Sequence, residues 1–390
     1  MKKLITTFVA TAIALSASAK IEGDGYYRVQ NYKTGRYIYV LDDKGELNFQ
    51  ATTAELGALQ LYKNYENTIS DPSTIIYVKD LNGKNQDFDL QTQGTGVKTI
   101  IDYPVSIRLA NAKLGTYMVF GRNSGMTRYI GDATESDSER GYVTSMGNGD
   151  YFRWYFHPVT TDEDNYFGIL PEFNDGNDFY ASLYADFPFS CHSEGMTVYY
   201  VTSYADGVAY IYPIEGTVAK GTPVIVKCSS PFTAGNKLSL GGEAAPVSSN
   251  KLKGVYFNNT SLLHKNLTPN DPETMRVLGR LSDGSIGFVK STEVNLPRNK
   301  AYLVVPAGSP DEIRMEVASS GITDITADSN AATISVNGLD VYVEGAAVAE
   351  IYSVTGQLIA RGNGNGHLSV PTPGIYIVKA GTTVRKIMAR

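Results

Sequence analysis

VYVEGAAVAEIYSVTGQLIARGNGNGHLSVPTPGIYIVKA, residues Val341 to Ala380, decides the fold class. Apolar and polar residues alternate with the two-residue period of a half-buried strand, and each run stops at Gly, Pro or Asn. The clearest runs are Val341-Tyr342-Val343, Ala349-Glu350-Ile351-Tyr352, Gln357-Leu358-Ile359 and Ile375-Tyr376-Ile377-Val378-Lys379. Gly356 and Gly374 fall where hairpins call for positive φ. With 38 Gly, 16 Pro and almost no helical periodicity, the reading extends to the whole chain, which is predicted to be all-β.

Working outward, Ile351-Tyr352-Ser353-Val354-Thr355-Gly356-Gln357, Pro373-Gly374-Ile375-Tyr376-Ile377-Val378 and the late basic pair Arg385-Lys386 carry a resemblance. They resemble the C-terminal sorting domain of Bacteroidetes type IX secretion. The resemblance implies a small Ig-like β-sandwich over residues 319–390, with the type IX secretion machinery as its partner. The other end agrees. Lys2 and Lys3, the apolar run Leu4–Leu15 and the small Ala17-Ser18-Ala19 read as a signal peptide over residues 1–19. No cysteine stands directly after that site, and no later apolar run is long enough for a transmembrane segment. The expected location is outside the cell, on the outer surface or released.

Removing the leader takes away two lysines and no acids, so the charge moves from −6 to about −8. That sign argues against nucleic acid, whose phosphates need clustered Lys and Arg. The 390 residues suffice for two or three domains. Tyrosine is over-represented, 27 against 14 Phe and one Trp. Tyrosine suits half-buried strands and sugar-facing surfaces alike. The two cysteines, Cys191 and Cys228, share strand parity with apolar neighbours and are expected to face one core. A disulfide between them and a pair of buried free thiols are both open.

Residues 20–160 show a weak threefold recurrence of strand, turn and strand, with turn glycines at Gly35, Gly83 and Gly125. The module closes on Arg153-Trp154-Tyr155-Phe156-His157-Pro158-Val159. That tract and the hairpin Asn31–Val40 resemble a ricin-type β-trefoil, departing from it at Phe152, where the family carries Gln. The resemblance implies a trefoil-like barrel and a glycan ligand. Residues 161–318 continue in strands. Tyr180-Ala181-Ser182-Leu183-Tyr184, Gly221-Thr222-Pro223-Val224-Ile225-Val226, Asn250-Lys251-Leu252-Lys253-Gly254-Val255, Gly287-Phe288-Val289 and Asn299-Lys300-Ala301-Tyr302-Leu303 stand out. These resemble a β-sandwich adaptor module of large Bacteroidetes surface proteins.

Catalytic signals are few. None of His157, His192, His264 and His367 has a partner at metal-ligand spacing, apart from the adjacent Cys191 and His192, which point to opposite strand faces. A Cys–His nucleophile would have to draw on thiols that read as core. Gly94-Thr95-Gly96-Val97-Lys98-Thr99 lacks the end of a phosphate loop. The acidic stretches Asp162-Glu163-Asp164 and Asn174-Asp175-Gly176-Asn177-Asp178 read as solvated turns rather than calcium loops. Neither catalytic residues, metal nor cofactor are therefore expected. Tyr39 with Asp42, Tyr103, and Tyr129 with Asp132 lie near hairpin ends and are the candidate ligand-binding residues. Ring stacking and carboxylate bonds to hydroxyls would let them hold sugar. The reading is a non-catalytic exported surface protein binding extracellular glycan. A structural or adhesin-like protein that binds another surface protein is the alternative, and a hydrolase with an unrecognised site the second.

Overall fold

The computed structural model describes residues 21, 23–40, 54–55, 59–62, 68–80, 88–91, 105–123, 126–132, 142–144, 147–162, 164–256, 258, 267–318, 332–353, 356–381 and 383–389. Residues 1–19, Asp42, Gly83, Gly94–Thr99, Tyr103, Gly125, Glu163, His264 and Ser320 lie outside the described residues. The fold is all-β, with three short 3-10 turns among the described residues. The described chain divides into two compact units. One comprises Met1–Tyr200, Pro213–Ser248 and Leu252–Glu312, and the other Val201–Tyr212, Ser249–Lys251 and Ile313–Arg390.

In the first unit, an 11-stranded sheet curls into a half-barrel. Its first strand, Gly25–Asn31, pairs antiparallel with its last, Trp154–Pro158, from Tyr27 opposite Pro158 to Asn31 opposite Trp154. The same first strand pairs on its other side with Ile76–Asp80 and with Tyr37–Val40. Trp154 is fully buried, and its indole N–H donates to the Ile130 carbonyl at 2.9 Å. Removing a side chain of this size from such a site costs about 3–5 kcal/mol.

Two turns of this sheet match each other; Gly83 and Gly125, the other turn glycines of the threefold recurrence, lie outside the described residues. Asn31-Tyr32-Lys33-Thr34-Gly35 and Asn111-Ala112-Lys113-Leu114-Gly115 make the same turn. Asn31 Oδ1 accepts from the amides of Lys33 and Thr34 at 2.9 and 3.1 Å. Asn111 Oδ1 accepts from Lys113 and Leu114 at 3.0 and 3.3 Å. Each glycine then takes positive φ, +71° at Gly35 and +64° at Gly115, which an L side chain disfavours. Further on, the 3-10 turns Pro72–Thr74 and Asp150–Phe152 lead into the strands Ile76–Asp80 and Trp154–Pro158. Ile76 and Trp154, the first residues of those strands, are both fully buried.

The rest of the first unit is layered strand on strand. Phe167–Gly168, Lys237–Leu240 and Phe189–Cys191 form a three-stranded sheet. Phe173–Asn174, Phe179–Leu183, Val224–Cys228 and the start of Thr197–Ala205 pair in turn. Phe167, Phe187, Phe189, Leu183, Val224, Val226 and Leu238 pack together in a core that also takes in Ile75 of the half-barrel. Cys228 is buried in this core and Cys191 packs against it; both are free thiols. Leu252–Val255, Lys300–Val304, Met275–Arg280 and Ile286–Val289 pair antiparallel in sequence. Buried Arg276 donates there to the carbonyls of Pro310, Ser309 and Pro272 at 2.8 to 2.9 Å.

In the second unit, Val208 to Ile211 pair in parallel with Arg314 to Val317. Beyond residue 331, the strands Thr333–Asn337, Asp340–Glu344 and Gly366–Ser369 form one sheet. Leu358–Asn363, Val348–Ser353, Gly374–Ala380 and Thr383–Ala389 form a second. Ile334, Val341 and Val343 from the first sheet and Ile351, Tyr376, Val378 and Ile387 from the second make one core. That is a small β-sandwich. Gly356 takes the expected positive φ of +83°. Gly374 does not: it opens the strand Gly374–Ala380 in extended form, opposite Ala389.

Candidate functional site

The hairpin-end residues do not assemble. Tyr39 is buried at 4% exposure, and the Arg298 guanidinium lies 5.4 Å over its ring. Tyr129 is half-buried, its ring 5.5 Å from that of Phe120. Asp132 is fully buried and paired with Arg36, whose Nε donates to Oδ2 at 2.9 Å and whose Nη2 bonds Oδ1. The Thr34 hydroxyl donates to the same carboxylate, and the Asp132 amide donates to the Tyr151 carbonyl at 3.1 Å. These contacts fasten the first hairpin turn to the end of Met126–Gly131 and leave Asp132 no face toward a ligand. Asp42 and Tyr103 lie outside the described residues.

Four other residues do converge, and the strand pairing explains why. Tyr26 stands directly opposite Tyr77 in the antiparallel pair of Gly25–Asn31 with Ile76–Asp80, so both rings project from one face. Their centroids are 5.1 Å apart at 52°. Tyr27 and Val29, of opposite parity, are buried, with Tyr27 6.3 Å from Phe156 in an edge contact. Tyr26 also meets Phe187 edge-on at 5.9 Å. Burial, then Tyr77 and Asp186, push its phenol up to about 12, so Tyr26 keeps its proton and can donate it.

Around this pair lies a cleft of about 550 Å³, within the usual range for small-ligand sites. Asp24 and Asp186 flank it, and the Tyr77 hydroxyl donates to Asp24 Oδ2 at 3.4 Å. Burial first, and then Asp24, raise the Tyr77 phenol. Asp186 Oδ1 accepts from the Tyr256 hydroxyl at 3.4 Å, and Tyr256 stacks on Tyr184 at 3.9 Å. Gly241 and Gly242 form the far lip, with the Gly241 amide donating to the Pro188 carbonyl at 2.8 Å. Positive φ at both (+103° and +92°) keeps this lip bare of side chains.

Arg28, two residues beyond Tyr26 and fully buried, braces the strand that carries Tyr26. Its Nη1 donates to Asn165 Oδ1 and the Tyr166 carbonyl, both at 2.8 Å. Nε reaches Thr74 Oγ1 at 3.0 Å and Nη2 the Ile69 carbonyl at 3.1 Å. One guanidinium thus ties the half-barrel to the strands that follow it, and the ion pair Arg298–Asp71 at 2.6 Å repeats the tie. A side chain positioned by such a frame spends little freedom on binding.

Acid–base and nucleophilic groups are poorly placed in the described residues. His157 is buried, its Nε2 2.9 Å from Gln30 Oε1, and burial with help from Arg28 lowers it to about 4. Burial pushes Cys191 up to about 11; Cys228 goes to about 12 by burial, with Cys191 and Glu172 adding to the shift. No group of three or more His, Cys, Asp or Glu stands together to hold a metal among the described residues. No helix there is long and apolar enough to cross a membrane.

The sequence reading singles out none of Tyr26, Tyr77, Asp24 and Asp186. A usable signal was parity: in Tyr26-Tyr27-Arg28-Val29 the odd positions are core, so Tyr26 has to project from the other face. Comparison with protein-family models, curated proteins and solved structures finds no match.

Proposed function

We propose that this chain is a non-catalytic, exported surface protein that binds extracellular glycan in the cleft of Tyr26 and Tyr77. The supporting observation is the cross-strand tyrosine pair flanked by Asp24 and Asp186. A sugar ring presents C–H groups on its faces and hydroxyls around its edge. Tyrosine rings take the first, while carboxylates accept strong hydrogen bonds from the second. Both tyrosines are half-buried and line the cleft, while the strands fix their direction. The test is a glycan array probed with residues 20–390 and with Tyr26→Ala and Tyr77→Ala. Binding lost in both variants supports the reading; no binding by the parent chain refutes it.

A second reading, contact with protein, is favoured by the outward face of the terminal four-stranded sheet. Ile375 pairs directly with Met388, and they are 40% and 55% exposed. Leu358, 48% exposed, sits opposite Tyr352 on the same sheet. An apolar face of this kind suits a partner such as the type IX secretion machinery. Deleting residues 320–390 is then expected to hold the protein in the periplasm, and surface display of the truncated chain would sink the export reading.

A further inference from the structure

The tyrosine cleft continues into a second hollow. This neighbour, of about 720 Å³, shares Pro188, Lys220, Gly242 and Glu243 with it and runs on along Ala244, Ala245 and Pro246. Between the two lies the bare backbone of Gly241 and Gly242, so no side chain on that lip stands between them. A single sugar fills only one end of such a groove; a chain of sugars crosses the lip and uses both.

The charges along it are unequal. Among the described residues that line it, Asp24, Asp186 and Glu243 contribute three carboxylates and Lys220 one ammonium. Asp24, Glu243 and Lys220 are exposed, and Asp186 is half-buried. A uronate or sulfated chain would bring its anions against that excess, and like charges in apposition suppress binding. A neutral chain meets no such repulsion and offers hydroxyls to every carboxylate. We infer that the groove takes an extended, uncharged oligosaccharide of several residues, with the tyrosine pair seating one sugar and the Gly242–Pro246 hollow the next. This rests on the glycan-binding reading and narrows its ligand class.

The test is calorimetric titration of residues 20–390 with neutral oligosaccharides of one to six residues (β-linked glucose, mannose and N-acetylglucosamine series) and with oligogalacturonides of matching lengths. The expected result is affinity that grows with neutral chain length and is at least about tenfold weaker for the uronides. Glu243→Lys, at an exposed position, is expected to narrow that gap by about fivefold with an unchanged melting temperature. Ala244→Trp, which fills the second hollow, is expected to abolish the length dependence while sparing the shortest ligand. Affinity that saturates at one sugar, or uronides that bind as well as neutral chains, would overturn the inference and leave glycan binding standing. No heat with any sugar would overturn the glycan reading itself, and this inference with it.

Discussion

Tyr26 and Tyr77 are cross-strand partners, directly opposite in register with ring centroids 5.1 Å apart. One strand pairing therefore places two aromatic faces on the same side of the sheet at the mouth of a cleft. Neither ring acquires this position from its own sequence neighbours. The pairing joins residues about fifty positions apart, and buried Arg28 braces the strand that carries Tyr26.

Tyr77→Ala is expected to weaken glycan binding by at least about tenfold, since a stacked ring contributes roughly 0.5–1.5 kcal/mol beyond the area it covers. Its cost in folding should be small, because the ring is only partly buried. Titration of the variant beside a urea melt separates the two effects. An equal loss in stability would point to a scaffolding role for the ring.

Asp132→Ala should destabilise the protein by about 3–5 kcal/mol, because it strips the buried Arg36 guanidinium of its carboxylate. The double variant Arg36→Met with Asp132→Leu should recover most of that loss. Denaturant midpoints of the single and double variants check it. Glycan affinity of whatever fraction remains folded should be unaltered.

His157 has its folded-state pKa lowered to about 4 by burial and by Arg28, against an ordinary 6.5. Above pH 6.5 it is neutral in both states and its contribution is fully present. As pH falls from about 6.5 toward 4, the unfolded chain takes up a proton that the folded chain refuses, and stability drops by up to about 3 kcal/mol. Thermal melts at stepped pH should show that slope, and His157→Gln should flatten it.

Cys191 and Cys228 should be nearly inert in the native protein, since burial holds both thiols protonated at neutral pH. A thiol-reactive dye is expected to count two thiols after unfolding without reductant and almost none before. A count of zero after unfolding would mean the pair is bridged.

The strand runs were legible in the sequence because alternation and turn residues act locally. Val341–Val343, Phe179–Leu183 and Val224–Val226 read as strands from their own side chains and form strands. The match between two turns was harder. Its markers, Asn31 with Gly35 and Asn111 with Gly115, are eighty residues apart. Asp132 looked like a ligand residue because a carboxylate after a strand ends the local pattern. Its partner Arg36 is nearly a hundred residues away, and no spacing rule announces the pair.

By itself, then, the sequence determined what depends on neighbours along the chain: the all-β class, the strand runs, the turns at Gly35 and Gly356, and the core-facing parity of the cysteines. Tertiary structure alone decided which polar groups are sealed and which are offered. Burial turned Asp132 into half of an internal ion pair, and long-range pairing turned Tyr26 and Tyr77 into a site. The physical reason is that hydrogen-bond register and burial are set by residues distant in sequence, while alternation and turn chemistry are set by residues close by.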